Sequence, residues 1–218
     1  MFSNEKKELI KAGMKLDRYG LIALGGGNVS MRMPTGEILM SPSGMIYEEL
    51  EEDDVVVMDI GGNVLEGARR PSSDSEALLY ILREMPDVNA VIHTHQPYAT
   101  GLGLVMDEFV CNLTTLANAA RGSVTVAPYS APNSLLMGEN TVKYLNGRLA
   151  VILKHHGVVS VGDSLKQALY ACVYLEEAAK TYVAARSISD DVALLTDEQI
   201  EHTVEIFRTY GQAKGNIL

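Results

Sequence analysis

The sequence lacks tryptophan and contains only two cysteines, Cys111 and Cys172, in 218 residues. Two cysteines cannot build the disulfide framework of a small secreted domain, so we expect free thiols in a reducing compartment, the cytoplasm. The longest apolar stretches, such as 149–153, are far shorter than the ~18 residues that a membrane-spanning helix needs. The first residues are charged where a secretory signal would be apolar, so we expect no signal and no membrane partner.

Positive charge is also scarce. The chain has 18 Lys and Arg against 28 Asp and Glu, for a net charge of −10, and no basic block. This balance argues against a nucleic-acid partner. Hydrophobic residues make up 47% and charged residues 21%, which is typical of a globular protein. No linker or repeat interrupts the sequence, so we expect one domain over residues 1–218.

Helical and strand-like patterns alternate irregularly along the chain, and several connections resemble hairpins, including the turn at Gly61-Gly62. This favours an α/β fold with a mixed, largely antiparallel sheet covered by helices, not a doubly wound parallel sheet. Helices are predicted over 4–19, 74–85, 97–103, 134–146, 164–185 and 197–210, and strands over 28–32, 37–41, 55–59, 64–65, 90–94, 124–126, 150–153 and 158–161.

Four of the five histidines fall in two clusters at the ends of predicted strands: His93 with His95, and His155 with His156. Residues i and i+2 of a strand share a face, so His93 and His95 can hold one ion between them. Adjacent strand residues point apart, so only one residue of the second pair should join them. Three imidazoles and a carboxylate are a typical ligand set for Zn²⁺ or another first-row divalent ion. The alternative is two unrelated, hydrogen-bonded histidine pairs.

Small polar residues precede the helix predicted at 74–85. Ser73 and Glu76 have the spacing of a capping box. A helix start that carries free N–H groups and the hydroxyls of Ser72 and Ser73 also suits a phosphate, and Asp74 could there reach a metal or act as a base. The segment 41–44 offers similar chemistry. The glycines at 25–27 lack the G-x-G-x-x-G spacing and form either a flexible turn or a backbone cradle for an anion.

These motifs, in this order, resemble the class II aldolase and sugar-phosphate epimerase superfamily, and the length and the Phe-x-x-Tyr-Gly sequence at 207–211 are most similar to its fuculose-phosphate aldolases. The resemblance implies a three-layer α/β/α domain that assembles as a homotetramer with sites at subunit boundaries. It also implies Zn²⁺, or another divalent first-row metal, on His93, His95 and His156, with His155 behind the ligands or in packing. Substrate phosphate would be bound by Asn28, Ser43, Gly44, Ser72 and Ser73.

The catalytic acids depart from the family pattern. Asp74 stands where the aldolases usually have Glu, as in the epimerases. The catalytic Asp of the epimerases aligns with Asn118, and a tyrosine of the aldolases aligns with Thr114. Tyr210 matches a tyrosine important in both branches. We therefore expect Asp74 and Tyr210 to be the catalytic residues, with Glu76 as the competing carboxylate, and Asp74 could also reach the metal as a ligand.

The function implied is metal-dependent, reversible aldol cleavage of a ketose phosphate, similar to L-fuculose 1-phosphate, to dihydroxyacetone phosphate and an aldehyde. Two alternatives remain at this point. One is a pentulose-5-phosphate 4-epimerase, which breaks and remakes the same kind of carbon–carbon bond. The other is a catalytically idle homologue that binds a sugar phosphate, which the missing acids would explain.

Overall fold

A nine-stranded sheet lies at the centre of the computed structural model, which describes residues 1–208. The strand order is β4-β3-β2-β1-β5-β9-β8-β7-β6, and every neighbouring pair is antiparallel except β7 with β8. The predicted mixed, largely antiparallel sheet is therefore confirmed. The strands are β1 Asn28–Arg32, β2 Ile38–Met40, β3 Val56–Met58, β4 Val64–Glu66, β5 Ala90–Thr94, β6 Glu108–Phe109, β7 Val124–Ala127, β8 Ala150–Leu153 and β9 Gly157–Gly162.

Helices cover both faces of the sheet because both faces are apolar. Successive side chains of a strand point to opposite faces of the sheet. Ile92 of β5 and Leu39 of β2 lie in one core cluster with Leu9 of α1. Val91, the neighbour of Ile92, lies in the other cluster with Leu78 of α2. The predicted three-layer α/β/α arrangement is confirmed. Within the described residues the helices are α1 Ser3–Arg18, α2 Ser75–Glu84, α3 Pro97–Gly103, α4 Thr114–Ala120, α5 Leu135–Leu145, α6 Leu165–Arg186 and α7 Asp197–Arg208. None of them is both long and apolar enough to cross a bilayer.

The predicted elements match the observed strands and α-helices to within a few residues, with two omissions among these. The strand β6 and the helix α4 were not predicted, because two and seven residues are too few for a clear periodicity. A capping pair begins α7: the N–H of Thr196 donates to Gln199 Oε1 at 2.9 Å, and the N–H of Gln199 donates to Thr196 Oγ1 at 3.2 Å. The predicted end of that helix, at residue 210, lies outside the described residues.

The topology places the polar motifs at one end of the sheet. The antiparallel neighbours of β5 run opposite to it, so the end of β5 lies beside the starts of β1 and β9. In the observed register, Asn28 is directly opposite His93. The segments that follow β2 and precede α2 meet at the same end through a bridge between Pro42 and Pro71.

Candidate metal centre and active site

Three histidine rings converge at the end of β5. His93 is the fourth residue of that strand and is fully buried, and His95 follows the strand's last residue. Their Nε2 atoms are 3.0 Å apart, and the ring centroid of His156 lies 4.6 Å from that of His93. One nitrogen of each ring lies within 4.8 Å of the corresponding nitrogens of the other two. The three side chains could together hold a metal ion.

The protonation states of the three histidine rings suit the binding of a cation. His93 Nδ1 is 2.9 Å from the carbonyl oxygen of Val158, so this nitrogen donates a hydrogen bond and Nε2 presents its lone pair toward His95. Burial lowers the pKa of all three histidines, that of His93 furthest, and keeps them neutral near pH 7. His156 Nδ1 is buried and has no hydrogen-bond partner among residues 1–208. A divalent cation would satisfy these converging lone pairs, so the donor set fits a metal.

Both histidines of the second pair lie in the turn between β8 and β9. β8 ends at Leu153, and His155 adopts the left-handed conformation with φ of 63°. Its side chain is exposed and makes an edge contact with the Tyr129 ring, while His156 turns inward. The structure thus directs one member of the pair to the site as expected, but through this turn and not through the alternation of a strand.

Gly157 allows the second histidine pair to approach β5 closely. A Cβ atom at this position would lie 2.1 Å from the carbonyl oxygen of Thr94 and 3.2 Å from ring atoms of His93 and His95. Any larger residue would force β5 and β9 apart at the point where the histidines meet. The glycine that follows the histidine pair is therefore part of the geometry of the site.

Asp74 is buried beside the histidines, and both of its carboxylate oxygens accept hydrogen bonds. Oδ2 accepts from Asn28 Nδ2 at 2.9 Å, and Oδ1 accepts from the backbone N–H of Asn133 at 3.1 Å. Its negative charge raises the pKa of His95 and His156, although burial lowers the pKa of each more strongly. These contacts place a fixed carboxylate at the margin of the three-histidine group.

The predicted capping box at Ser73 and Glu76 is wrong. The helix begins one residue later, with Asp74 as its N-cap residue and no side-chain cap hydrogen bond. Glu76 is therefore the second helical residue, one position too early to reach back to the N-cap N–H, and its side chain is exposed. Asp74, and not Glu76, faces the histidines.

The two serine-containing segments are fixed side by side by backbone hydrogen bonds. The N–H of Ser43 donates to the carbonyl of Arg70, and the N–H of Ser72 donates to the carbonyl of Ser41, each at 3.0 Å. Within residues 1–208, no acceptor lies against the backbone N–H groups of Gly44 and Ser73. Both remain available to an anion.

A cavity of about 290 Å³ joins these parts. All the predicted phosphate-binding residues line it, together with the carboxylate of Asp74 and two of the three histidines. Sequence reasoning had not singled out Pro132 and Asn133, although a Pro-Asn-Ser sequence before a helix was an available signal. The residues around the cavity are Gly25, Gly26, Gly27, Asn28, Pro42, Ser43, Gly44, Ser72, Ser73, Asp74, His95, Pro132, Asn133 and His156.

The positions that align with the other catalytic residues of the family lie away from this cavity or outside the described residues. Asn118 and Thr114 are on α4, and Asn118 borders a separate cavity together with Arg121 and Tyr170. Neither residue lines the cavity beside the histidines. Tyr210 lies outside the described residues.

The buried histidines predict a pH dependence of stability. A histidine with a pKa lowered by folding binds its proton more readily in the unfolded chain. The free energy of unfolding of the metal-free protein should therefore fall as the pH drops below about 6.5, by up to about 1.4 kcal/mol per pH unit for fully buried His93. Urea midpoints at several pH values between 7.5 and 5.5 measure this. His93→Gln should reduce the dependence, and substitution of the exposed His155 should not; equal slopes for the two variants would contradict the assignment.

Comparison with known proteins agrees with this site. Residues 7–183 match the family described as the Class II Aldolase and Adducin N-terminal domain, and the chain belongs to this family. The L-fuculose phosphate aldolase of Escherichia coli K12 is 32% identical over 94% of both chains. The 5-deoxy-D-ribulose 1-phosphate aldolase of Bacillus thuringiensis serovar kurstaki is 31% identical over 97% of this chain and 99% of the relative.

The fold is similar to that of solved family members. An L-fuculose 1-phosphate aldolase structure superimposes with a TM-score of 0.89 at 35% identity, covering 94% of this chain and 97% of the other. The resemblance drawn from the sequence motifs is therefore confirmed. Since class II aldolases depend on divalent metals, the family also explains why three neutral histidines converge here.

Proposed function

We propose that this protein is a metal-dependent aldolase that cleaves a ketose 1-phosphate to dihydroxyacetone phosphate and an aldehyde. The observation that carries the proposal is the single cavity in which His95, His156 and Asp74 adjoin two segments with free backbone N–H groups. Such a cavity can accommodate a phosphate at one side and a carbonyl at the other. Two of the similar proteins are named for ketose 1-phosphates, 5-deoxy-D-ribulose 1-phosphate and L-fuculose 1-phosphate.

The chemistry divides between a metal and the chain's own residues. A divalent cation on His93, His95 and His156, which we propose is Zn²⁺, supplies positive charge for a carbonyl oxygen and its adjacent hydroxyl. Asp74 is fixed by Asn28 and Asn133, so its carboxylate is oriented before substrate binds. In the cleavage direction, the C4 hydroxyl loses its proton, the C3–C4 bond breaks, and C3 takes up a proton. We assign the delivery of the proton to C3 to Asp74. We assign the removal of the proton from the C4 hydroxyl, whose oxygen becomes the aldehyde oxygen, to Tyr210.

Phosphate recognition needs no positive side chain in this acidic protein. We assign it to Asn28, Ser43, Gly44, Ser72 and Ser73. The free N–H groups of Gly44 and Ser73 supply donors, and the start of α2 contributes the positive end of its dipole. The left-handed backbone of Gly44, with φ of 70°, exposes its N–H without steric cost. Substrate affinity therefore depends on oriented neutral groups.

Ser73→Ala tests this phosphate site. The Ser73 side chain is exposed at the cavity and has no hydrogen-bond partner among residues 1–208, whereas the Ser72 hydroxyl already accepts from the N–H of Asp74. A hydrogen bond to a charged group contributes about 1.5–3 kcal/mol. The variant should therefore raise KM for the sugar phosphate, and Ki for inorganic phosphate, roughly ten- to hundredfold. Ser75→Ala, which is not at the cavity, is the matched control; equal effects from both would contradict the role.

The activity itself is tested by product analysis with L-fuculose 1-phosphate and 5-deoxy-D-ribulose 1-phosphate. Both would release dihydroxyacetone phosphate, detected by reduction with a coupled dehydrogenase, and the ratio of kcat/KM values would identify the preferred aldehyde. Interconversion of pentulose 5-phosphates without that product would show a 4-epimerase. Binding without turnover would show a catalytically idle homologue. Either result would overturn the proposal.

We further propose a cytoplasmic homotetramer. Large apolar side chains lie exposed in the segments beside the cavity, including Leu24 at 74% and Tyr129 at 59% exposure. Cover by a second copy of the chain would remove both from water. Sedimentation analysis at several protein concentrations measures the mass, and a monomer at micromolar concentration would contradict the tetramer.

A further inference from the structure

Within residues 1–208, one buried carboxylate outside the cavity forms no ion pair. Glu176 lies in the middle of α6 and is 1% exposed. Two other buried acids have evident roles, since Asp54 pairs with Arg69 and Asp74 lies at the cavity. Among the described residues, no Lys, Arg or His nitrogen lies within ion-pair distance of Glu176. Burial of an unpaired charge is costly, so the contacts of this carboxylate need an explanation.

Glu176 caps α3 from a distance. Its Oε1 accepts from the N–H of Tyr98 at 3.1 Å, and its Oε2 accepts from the N–H of Ala99 at 3.0 Å. The local N-cap residue, Gln96, makes no cap hydrogen bond. Its side chain instead donates to the carbonyl of Cys172 at 3.2 Å, one turn before Glu176 on α6. Two buried polar side chains thus attach the start of α3 to the same face of α6.

This attachment lies next to a candidate metal ligand. His95 follows the end of β5 and immediately precedes Gln96, and its backbone N–H donates to the carbonyl of Leu21 at 3.0 Å. Within residues 1–208, the His95 ring has no hydrogen-bonding contact other than His93. His93 is fixed differently, by strand pairing on both sides and by Val158. The position of His95 therefore depends on the contacts of the residues that follow it, namely Gln96 and the start of α3.

We propose that Glu176 is a positioning residue for the metal site, which holds His95 in place through the start of α3 and Gln96. The inference rests on the metal site of the proposed function. Residues that orient a metal ligand typically account for ten- to hundredfold in metal affinity. Glu176 touches neither the ligand ring nor the cavity, so its effect on affinity is transmitted only through the backbone of residues 95–99.

The test is Co²⁺ titration of the metal-free protein, which measures affinity and ligand geometry by visible absorption without any turnover. Glu176→Gln removes the charge and one of the two carboxylate acceptors at nearly constant volume. It should weaken Co²⁺ binding at least tenfold and change the absorption spectrum of the bound ion. The matched control is Ser164→Ala, which removes the side-chain cap of α6, formed with the N–H of Gln167 at 3.3 Å. It should lower the melting temperature but leave affinity and spectrum unchanged.

Wild-type affinity and spectrum in Glu176→Gln would overturn the inference, and so would a matching loss of affinity in Ser164→Ala. If Glu176→Gln does not fold, Gln96→Ala decides, because it removes the second attachment and introduces no charge; the same tenfold loss is expected, and wild-type affinity overturns the inference. Failure of the wild-type protein to bind Co²⁺ would instead refute the metal site itself, and this inference with it.

Discussion

Asp74→Asn is expected to lower kcat by two to four orders of magnitude, the usual contribution of a general acid–base group, with little change in the affinity for dihydroxyacetone phosphate. The substitution keeps the size of the side chain and removes the proton acceptor. Folding should be retained because Asn28 can rotate its amide and offer its buried Oδ1, which has no partner in the part of the chain that the structure describes, to the new NH₂ group. Steady-state kinetics and direct titration of the product measure the two effects separately.

Glu76→Gln is the matched control for Asp74→Asn. It makes the same chemical change two residues away, on an exposed side chain that is not at the cavity. Near-native turnover is expected. If Asp74→Asn keeps its turnover and Glu76→Gln loses it, the carboxylate has been assigned wrongly. If both variants keep turnover, the proton at C3 comes from another group and the proposed mechanism fails.

His156→Ala is expected to release the metal, while His155→Ala keeps it. The two residues are adjacent in the chain, but only His156 has a ring nitrogen within 4.8 Å of those of His93 and His95. Loss of a direct ligand should cost more affinity than the ten- to hundredfold that a residue behind the ligands costs. Elemental analysis after gel filtration, with circular dichroism to check the fold, compares the variants.

Full metal content in both histidine variants would contradict the site. A metal lost from both would indicate that the turn as a whole, and not one ring, is required. His155→Ala removes only an exposed side chain and its contact with Tyr129, so its stability should remain close to that of the wild type.

The sequence predicted those parts of the site that depend on local geometry. The two-residue period of extended backbone predicts that His93 and His95 share a face, although β5 itself ends at Thr94. The choice of His156 over His155 could not follow from local pattern, because a turn residue in the left-handed conformation decides it. That choice came from the resemblance to the family.

Other parts of the site depend on contacts between distant segments. Asn133 reaches Asp74 across 59 residues of sequence, and Glu176 reaches Ala99 across 77. The spacing of apolar residues within one helix or strand does not indicate which distant residues will form hydrogen bonds. The capping box failed for a related reason: the backbone pairing of Ser72 with Ser41 fixes the turn before α2, and the helix starts one residue later than its local sequence suggested.

The support of His93 has a consequence for preparing the protein. This residue is held by two neighbouring strands and a backbone carbonyl, inside a sheet whose apolar side chains are buried on both faces. In small zinc-binding domains, by contrast, the ion itself drives folding, and a chelator unfolds the chain. Here a chelator should leave an intact apoprotein that can be reconstituted with one metal at a time. The native metal can then be identified from the metal content and the reaction rate of each reconstituted form, independently of folding.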